Sequence, residues 1–299
     1  MKNIKAALLF FITSISIPAL AQTPAQQLKA IFNANAKQIL IAAHRGDWRS
    51  APENSVQALQ NSIAKGFDLM ELDVKLSKDS VLVVMHDNTL DRSTNGKGKP
   101  SDYTLVELKK MRLKNGLGRT TDHQIPTLEE MMKIAKGKIL INVDKGNLYL
   151  PQVFSVLKST GTTDQTIVNV TDNTPYDKLR ATNIIPSDAY IMVVVGMTKP
   201  DALQVIKSYQ GHAKSVIQPI FDTDTLANLN ELPKIAAQQV IWLNSLWPSL
   251  NGGHDDDRAV EKNEKEASWG WLIQKKPTII QTDRPEELLK YLRARKLHP

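Results

Sequence analysis

The chain has 299 residues, 41% of them hydrophobic and 23% charged, the usage of an ordinary globular protein, which excludes long disorder, collagen-like repeats and disulfide scaffolds. Its lack of cysteine also removes thiolate metal sites, cysteine nucleophiles and a lipidated cysteine anchor. A formal charge of +7 favours anionic ligands without selecting one, and because no basic cluster accompanies it, no nucleic-acid partner is expected.

In chain order, Lys2 and Lys5 precede an apolar run from Ala6 to Ile17, which ends in Ala19-Leu20-Ala21. A charged start, an apolar middle and a small-x-small end make a secretory signal. Residues 1–21 are therefore expected to be removed and the mature protein exported, in a bacterium to the periplasm, with secretion as the alternative. The competing reading is an N-terminal membrane anchor, but Thr13, Ser14 and Ser16 interrupt a run already shorter than the roughly 20 residues a span needs. No later run is long enough to span, so no stable membrane span is expected in the mature protein. Residues 22–37 are expected to form a helical lead-in and residues 38–299 one domain. No feature points to an oligomeric state.

From Gln38 onward, short β-branched runs alternate with amphipathic stretches. The expected strands are Ile39–Ala43, Leu69–Val74, Ile139–Val143, Thr166–Val170, Tyr190–Val195, Ser215–Gln218, Val240–Asn244 and Thr278–Gln281. Helices are expected at Glu53–Lys65, near Thr104–Arg112, and at Thr127–Lys136, Lys199–Tyr209 and Pro285–Arg295. A ninth run, Val81–Met85, follows Leu76 after only four residues, too few for a parallel crossover, so it turns back as a hairpin. Eight strands with intervening helices predict the α/β class and a single (β/α)8 TIM-type barrel, with a β-hairpin after strand 2. Extended loops follow the hairpin, over Asn88–Gln124, and strand 7, over Ser245–Lys276.

Active sites of such barrels lie at the C-terminal ends of the strands. There the chain places His44-Arg45-Gly46, Glu71 with Asp73, Asp144-Lys145 and Thr282-Asp283. Glu71 and Asp73, two apart, share one face of a strand. A divalent cation with hard oxygen ligands, Mg2+ or Ca2+, would relieve their repulsion, as would an ion pair with Arg45 or a strand-end lysine. If the hairpin turn centres between Lys78 and Asp79, His86 lies opposite Glu71; a one-residue change in the turn would send it to the other face. With His44 this puts two imidazoles at one mouth, as an acid and a base require. Arg45 can bind a phosphate through two parallel bonds. Pro52-Glu53-Asn54-Ser55 reads as a helix start with an acidic first turn.

His44-Arg45-Gly46, Pro52-Glu53-Asn54, Gly66-x-Asp68-x-x-Glu71-x-Asp73-Val74, His86-Asp87-x-x-Leu90-Asp91-Arg92-x-Thr94, Ile125-Pro126-Thr127-Leu128-Glu129-Glu130 and Thr282-Asp283-Arg284-Pro285 occur in this order. Together they resemble the glycerophosphodiester phosphodiesterase family, from about Ile39 to Leu288. The resemblance implies a barrel of the phosphatidylinositol-phospholipase-C-like kind, one divalent cation, and hydrolysis of a small-molecule glycerophosphodiester to glycerol 3-phosphate and an alcohol. It implies His44 and His86 as the acid/base pair, Arg45 as a catalytic phosphate clamp, Glu71 and Asp73 as metal ligands, and Glu53 and Asn54 as substrate-side polar groups.

The sequence departs from that family at Ile141-Asn142-Val143-Asp144-Lys145, where a Glu and a Lys two residues later are usual. With Asp144 as the third ligand, Lys145 reaches phosphate only if the strand ends or bulges there. In the long loop after strand 7, Trp247, Trp269 and Trp271 would wall the alcohol group, with Trp247 and Trp271 as substrate contacts, or would simply pack. Asp255-Asp256-Asp257 reads as a solvated acidic turn or a second cation site, and His123, His212 and His298 as surface or core residues. The alternatives to the family reaction are another phosphodiester, such as glycerophosphoinositol, a lysophospholipid or a phosphoinositide headgroup, and a non-catalytic protein that binds phosphorylated ligands.

Overall fold

The computed structural model describes residues 22–32 and 38–299; the expected leader, and the end of the lead-in helix, lie outside the described residues. Eight parallel strands close on themselves: β1 (Leu40–Ala43), β2 (Leu69–Leu76), β4 (Leu140–Asp144), β5 (Thr166–Asp172), β6 (Tyr190–Gly196), β7 (Ser215–Ile220), β8 (Val240–Asn244) and β9 (Ile279–Thr282). β1 pairs with both β2 and β9, which completes the barrel, and β3 (Leu82–Val84) pairs antiparallel with β2. The (β/α)8 barrel with its hairpin is thus the observed fold.

Inward positions follow the period of two and change character along the barrel. At the N-terminal end Leu40, Leu69, Leu140, Ile167, Val216 and Ile279 form an apolar plug. Helix α1 (Pro24–Ile31) caps this plug with Leu28 and Ile31, and its start is fixed by reciprocal bonds between Thr23 and Gln26. The next inward layer is amide: Asn142, Asn169, Gln218, Asn244 and Gln281 are all buried. Asn142 donates to Asn169 (2.9 Å) and Gln218 to Asn244 (3.1 Å), which satisfies these donors, while Asn142 Oδ1 is left without a partner. The third layer is charged and forms the mouth. Outward positions, among them Met70, Leu72, Val74, Ile141 and Val143, pack under the surrounding helices, which include α2 (Val56–Ala64), α4 (Leu128–Ala135), α5 (Leu150–Thr160), α6 (Tyr176–Arg180), α7 (Ala202–Ser208) and α8 (Leu232–Ile235). The last helix, α11 (Pro285–Ala294), packs Leu288, Leu289 and Leu292 against Ile41 and Ala43 of β1.

Two expectations shift. Helix α2 begins at Val56 with Ser55 as its cap, its side chain accepting from Ala58 N. Glu53 and Asn54 therefore belong to the preceding loop, not to the first turn. In the hairpin, Val74 faces Val84 and Leu76 faces Leu82, one residue out of the expected register. The last bond in this register runs from Met85 N–H to the Asp73 carbonyl (2.9 Å), and the chain turns out of the ladder at His86, which still lines the mouth.

The connection after the hairpin folds around its own small core of Val83, Met85, Leu90, Leu108, Leu113 and Ile125. Its helix, α3 (Leu105–Leu108), is shorter than the expected span, since the chain turns back to bridge Leu113 with Thr94. The loop after β8 carries α9 (Asp256–Val260) and α10 (Trp271–Gln274).

Candidate active site

Three carboxylates meet at the mouth. Glu71 and Asp73 both point inward from β2, and the parallel register sets Asp144 of β4 beside Asp73. One oxygen from each lies within 4.8 Å of the others. Glu71 and Asp73 are about 2% and 1% exposed, so little solvent screens the repulsion. Burial, then the charges of Asp73 and Asp144, push the Glu71 carboxyl well above the usual range; burial and Asp73 raise Asp144 as well. Asp73 is also pushed up by burial, but Lys145, His86 and Arg45 outweigh that and hold it low. Its Oδ1 is buried without a hydrogen bond, although Lys145 Nζ stands 3.2 Å away as an ion pair.

The loop after β1 turns sharply through left-handed backbone at Arg45 (φ 54°) and Gly46 (φ 76°). At Gly46 a Cβ would come within 3.0 Å of Ala58 and Met70, so the loop packs onto α2 only with glycine there. Arg45 N–H donates to Glu71 (2.9 Å), and its guanidinium reaches Glu53 (2.9 Å) and His44 Nε2 (3.2 Å). Asn54 is buried and fully engaged with Asp73, donating to Oδ2 (2.9 Å) and accepting from its N–H (3.2 Å). Glu53 and Asn54 therefore hold Arg45 and Asp73, and neither lines the cavity.

Both expected histidines are held through Nδ1 by a carboxylate. His44 bonds Asp283 (2.8 Å) and His86 bonds Asp87 (2.7 Å). Since Arg45 Nε–H donates to His44 Nε2, the partners assign the His44 proton to Nδ1. Burial lowers His86 first, and Arg45 and Lys145 add to this against the opposing pull of Asp73 and Asp87. Trp48 Nε1–H also donates to Asp283 (2.7 Å).

β4 ends at Asp144, and Lys145 follows in left-handed backbone (φ 56°). This break in the alternation returns its side chain to the mouth, where Nζ reaches Asp73 and donates to the His86 carbonyl (2.8 Å).

Beside these groups lies a cavity of about 500 Å³, whose wall includes neither the expected phosphate clamp Arg45 nor Glu71; both sit just behind it, Arg45 against His44 and Glu71 beside Asp73. His44, His86, Asp73, Asp144 and Lys145 line the cavity together with the apolar side chains of Val194, Ile220, Leu246, Trp247 and Leu250. Trp247 is 41% exposed and sits edge-on to His44 at 5.6 Å. Trp271 does not line the cavity. It stacks on His254 at 3.8 Å and packs on Phe221, while Trp269 is wholly buried, so the expected aromatic wall reduces to Trp247. The acidic run is neither a solvated turn nor a cation site: Asp256 is buried and accepts from Ser245, Trp269, Thr282 and the Asp283 N–H.

Sequence reasoning missed Asp283 as the partner of His44, since 239 positions separate them. It also missed Lys75, which lines the mouth and donates to Asn88 (2.7 Å). The period that paired Glu71 with Asp73 extends to Lys75 and could have found it. Chemically, the arrangement presents two oriented imidazoles to one cavity, beside two cationic side chains and a carboxylate cluster suited to a hard cation.

A family model described as the glycerophosphoryl diester phosphodiesterase family matches residues 44–212, and a second, described only as a domain of unknown function, matches residues 191–292. The chain is 43% identical over 107 residues to a glycerophosphodiester phosphodiesterase of Caldanaerobacter subterraneus subsp. tengcongensis, which covers 35% of this chain and 44% of that protein. It is 38% identical over 99 residues to glycerophosphodiester phosphodiesterase 1 of Homo sapiens, covering 31% and 29%. These matches span less than half the length of either curated relative. Among solved structures, a glycerophosphoryl diester phosphodiesterase from Parabacteroides distasonis superimposes with a TM-score of 0.72 at 26% identity over 92% of this chain and 93% of that one. A phosphodiesterase of Oleispira antarctica in complex with its product sn-glycerol-3-phosphate gives 0.65 at 18% identity over 87% and 99%, a likeness of fold alone.

Proposed function

The chain belongs to the glycerophosphoryl diester phosphodiesterase family, and on that premise we propose that it hydrolyses glycerophosphodiesters to glycerol 3-phosphate and an alcohol, with His44 and His86 as the proton-transfer pair. The observation that carries this reading is the pair of imidazoles, each oriented through Nδ1 by a carboxylate and both lining the cavity beside Asp73, Asp144 and Lys145.

The donor set suits one divalent cation, Mg2+ or Ca2+. Three carboxylates supply hard oxygens, and Asp73 Oδ1 is buried without a hydrogen bond. Glu71, Asp73 and Asp144 would hold the ion. When bound it supplies positive charge that polarises a phosphoryl oxygen. Arg45 and Lys145 add charge where the phosphoryl oxygens become more negative. The substrate phosphate displaces Arg45 Nε–H from His44 and frees the Nε2 lone pair, which takes the proton of the attacking hydroxyl. This is water's, or the glycerol 2-hydroxyl, in which case the alcohol leaves from a cyclic phosphate that a water then opens to glycerol 3-phosphate. Asp283 stabilises the imidazolium so formed. As the P–O bond to the alcohol breaks, the leaving oxygen takes a proton from His86, whose charged form, disfavoured by burial, is favoured by Asp73, Asp87 and the bound phosphate anion.

Export is part of this proposal and rests on Lys2, Lys5, the apolar run from Ala6 to Ile17 and Ala19-Leu20-Ala21. It divides the chain into a leader at 1–21, a lead-in at 22–37 and the barrel at 38–299. Among the described residues, no helix is long and apolar enough to cross a membrane.

The test is release of glycerol 3-phosphate from a panel of glycerophosphodiesters, with and without chelator, restoring Mg2+ and Ca2+ separately. Release that chelator abolishes and a cation restores is the expected result. A folded protein that releases no glycerol 3-phosphate from any of them refutes the proposal; hydrolysis of a phosphoinositide or lysophospholipid alone would move the substrate to another phosphodiester.

A further inference from the structure

We propose that Arg92, which lies outside the cavity, is a positioning residue that joins the phosphate clamp Arg45 and the proton-transfer residue His86 into one unit. The inference rests on the functional reading above and concerns how two groups from separate loops keep a common geometry. Arg45 and Glu53 belong to the loop between β1 and α2, and His86, Asp87 and Arg92 to the loop after β3. Arg92 uses both edges of its guanidinium. On one, Nε and Nη2 donate to the two oxygens of Asp87 at 2.6 and 2.9 Å. On the other, Nη1 and Nη2 donate to the two oxygens of Glu53, both at 2.7 Å.

Each carboxylate passes the constraint inward. Glu53 Oε1 accepts Arg45 Nη1 at 2.9 Å, and Asp87 Oδ1 bonds His86 Nδ1 at 2.7 Å. The result is one chain of charge-assisted bonds, Arg45–Glu53–Arg92–Asp87–His86. Its backbone end is fixed too: Thr94 bonds the Leu90 carbonyl through both N–H (2.9 Å) and Oγ1 (2.7 Å), setting the turn that presents Arg92.

The Arg92 side chain is 52% exposed, but the carboxylates it holds are 17% and 24% exposed. An isolated surface pair contributes little to stability; a planar fork that engages two carboxylates at once is the exception, through geometry more than energy. Lysine has no such fork, since one ammonium cannot present two parallel bonds to each of two carboxylates.

The test compares Arg92→Lys and Arg92→Ala with wild type, each also in a Glu53→Gln background, by steady-state kinetics on a glycerophosphodiester and by thermal melting. Misplacing a reacting group by about an ångström costs up to about a hundredfold in rate. The expected result is therefore a kcat lowered about tenfold to a hundredfold by Arg92→Lys, with KM changed less and Tm near wild type. The loss should shrink in the Glu53→Gln background, where one arm of the chain is already cut. An Arg92→Lys kcat within twofold of wild type would overturn the proposal, as would an undiminished loss in both backgrounds. A loss that tracks a fall in the Arg92→Lys melting temperature would assign Arg92 to folding and overturn it likewise. An inactive wild type would refute the enzymatic reading itself and is recognised before any variant is made.

Discussion

The carboxylate cluster makes a prediction with an unusual sign: in the absence of a divalent cation, Glu71→Gln is more stable than wild type. With donor oxygens within 4.8 Å, two like charges at an effective dielectric of about 20 repel by about 3.5 kcal/mol or more. The protein avoids this by keeping a proton on Glu71, whose carboxyl burial and its two neighbours push well above the usual 4.5. That proton is bound in the folded state and released in the unfolded one above the ordinary carboxyl range, so holding it there costs stability. Because the folded state binds the extra proton, wild-type stability falls as pH rises from 4.5 through the raised value. The amide introduced by Glu71→Gln would carry no charge yet keep an acceptor for Arg45 N–H. We expect a gain of about 2–4 kcal/mol, read as a melting temperature about 4–8 °C higher in chelator at pH 7.5, with a flatter pH slope. Mg2+ or Ca2+ should reverse the order by stabilising wild type far more than the variant. Scanning calorimetry across pH 5–8, with chelator and with each cation, decides. A variant less stable than wild type in chelator, together with a wild type indifferent to both cations, would show that Arg45 and Lys145 already neutralise the cluster.

Asp283→Asn keeps an acceptor for His44 and Trp48 but removes the charge that stabilises the imidazolium; kcat should fall at least about a hundredfold with Tm little changed, measured by steady-state kinetics and melting. Asp256→Ala strips the acceptor from Ser245, Trp269, Thr282 and the Asp283 N–H and should cost about 3–5 kcal/mol in urea denaturation. Burial raises the Asp256 carboxyl from 3.8 to about 7, so its folded state holds a proton the unfolded state has lost; its contribution falls as pH rises between those values, and Asp256→Asn should flatten that slope. Trp269→Ala should cost about 3–5 kcal/mol, whereas Trp247→Ala should cost under about 1 kcal/mol and appear as a changed KM, which equilibrium unfolding and kinetics on the same preparations would separate.

How much of this was legible in the sequence depends on what set each feature. Barrel strands are short β-branched runs separated by amphipathic helices, and hydrophobic burial on their outer faces fixes both, so expected and observed strands coincide to within about two residues. The connection after the hairpin was not legible, because Leu90, Leu108, Leu113 and Ile125 have no periodic spacing and become a core only against Val83 and Met85. Among site residues, those on one strand could be read directly, as Glu71 with Asp73; Asp87 adjoins His86 in the sequence, yet its bond to that imidazole came only from the structure. Asp283 could not be paired with His44 until closure set β9 beside β1. Trp247, Trp269 and Trp271 have similar surroundings in sequence, and only the fold of their loop separates the one at the mouth from the two that pack.

The position of Lys145, which alternation alone disallowed, shows how the site is built. Arg45, Asn54 and Lys145 all adopt left-handed backbone, at φ 54°, 58° and 56°, a conformation that non-glycine residues keep only where neighbours enforce it. Each is pinned by a different carboxylate of the cluster. Glu71 accepts the Arg45 N–H, Asp73 is bonded twice to the Asn54 amide, and Asp144 accepts the Lys145 N–H at 2.8 Å. The carboxylates suited to a cation are therefore also the anchors of the turns that present the cationic side chains. Loss of any one of them would disturb two functions together, so a metal-ligand variant and a phosphate-clamp variant should resemble each other in KM as well as in kcat. A strand-end bulge could have satisfied alternation just as well; what selects the left-handed turn is that it lets one side chain, Asp144, face the cluster while holding the next residue's backbone in place.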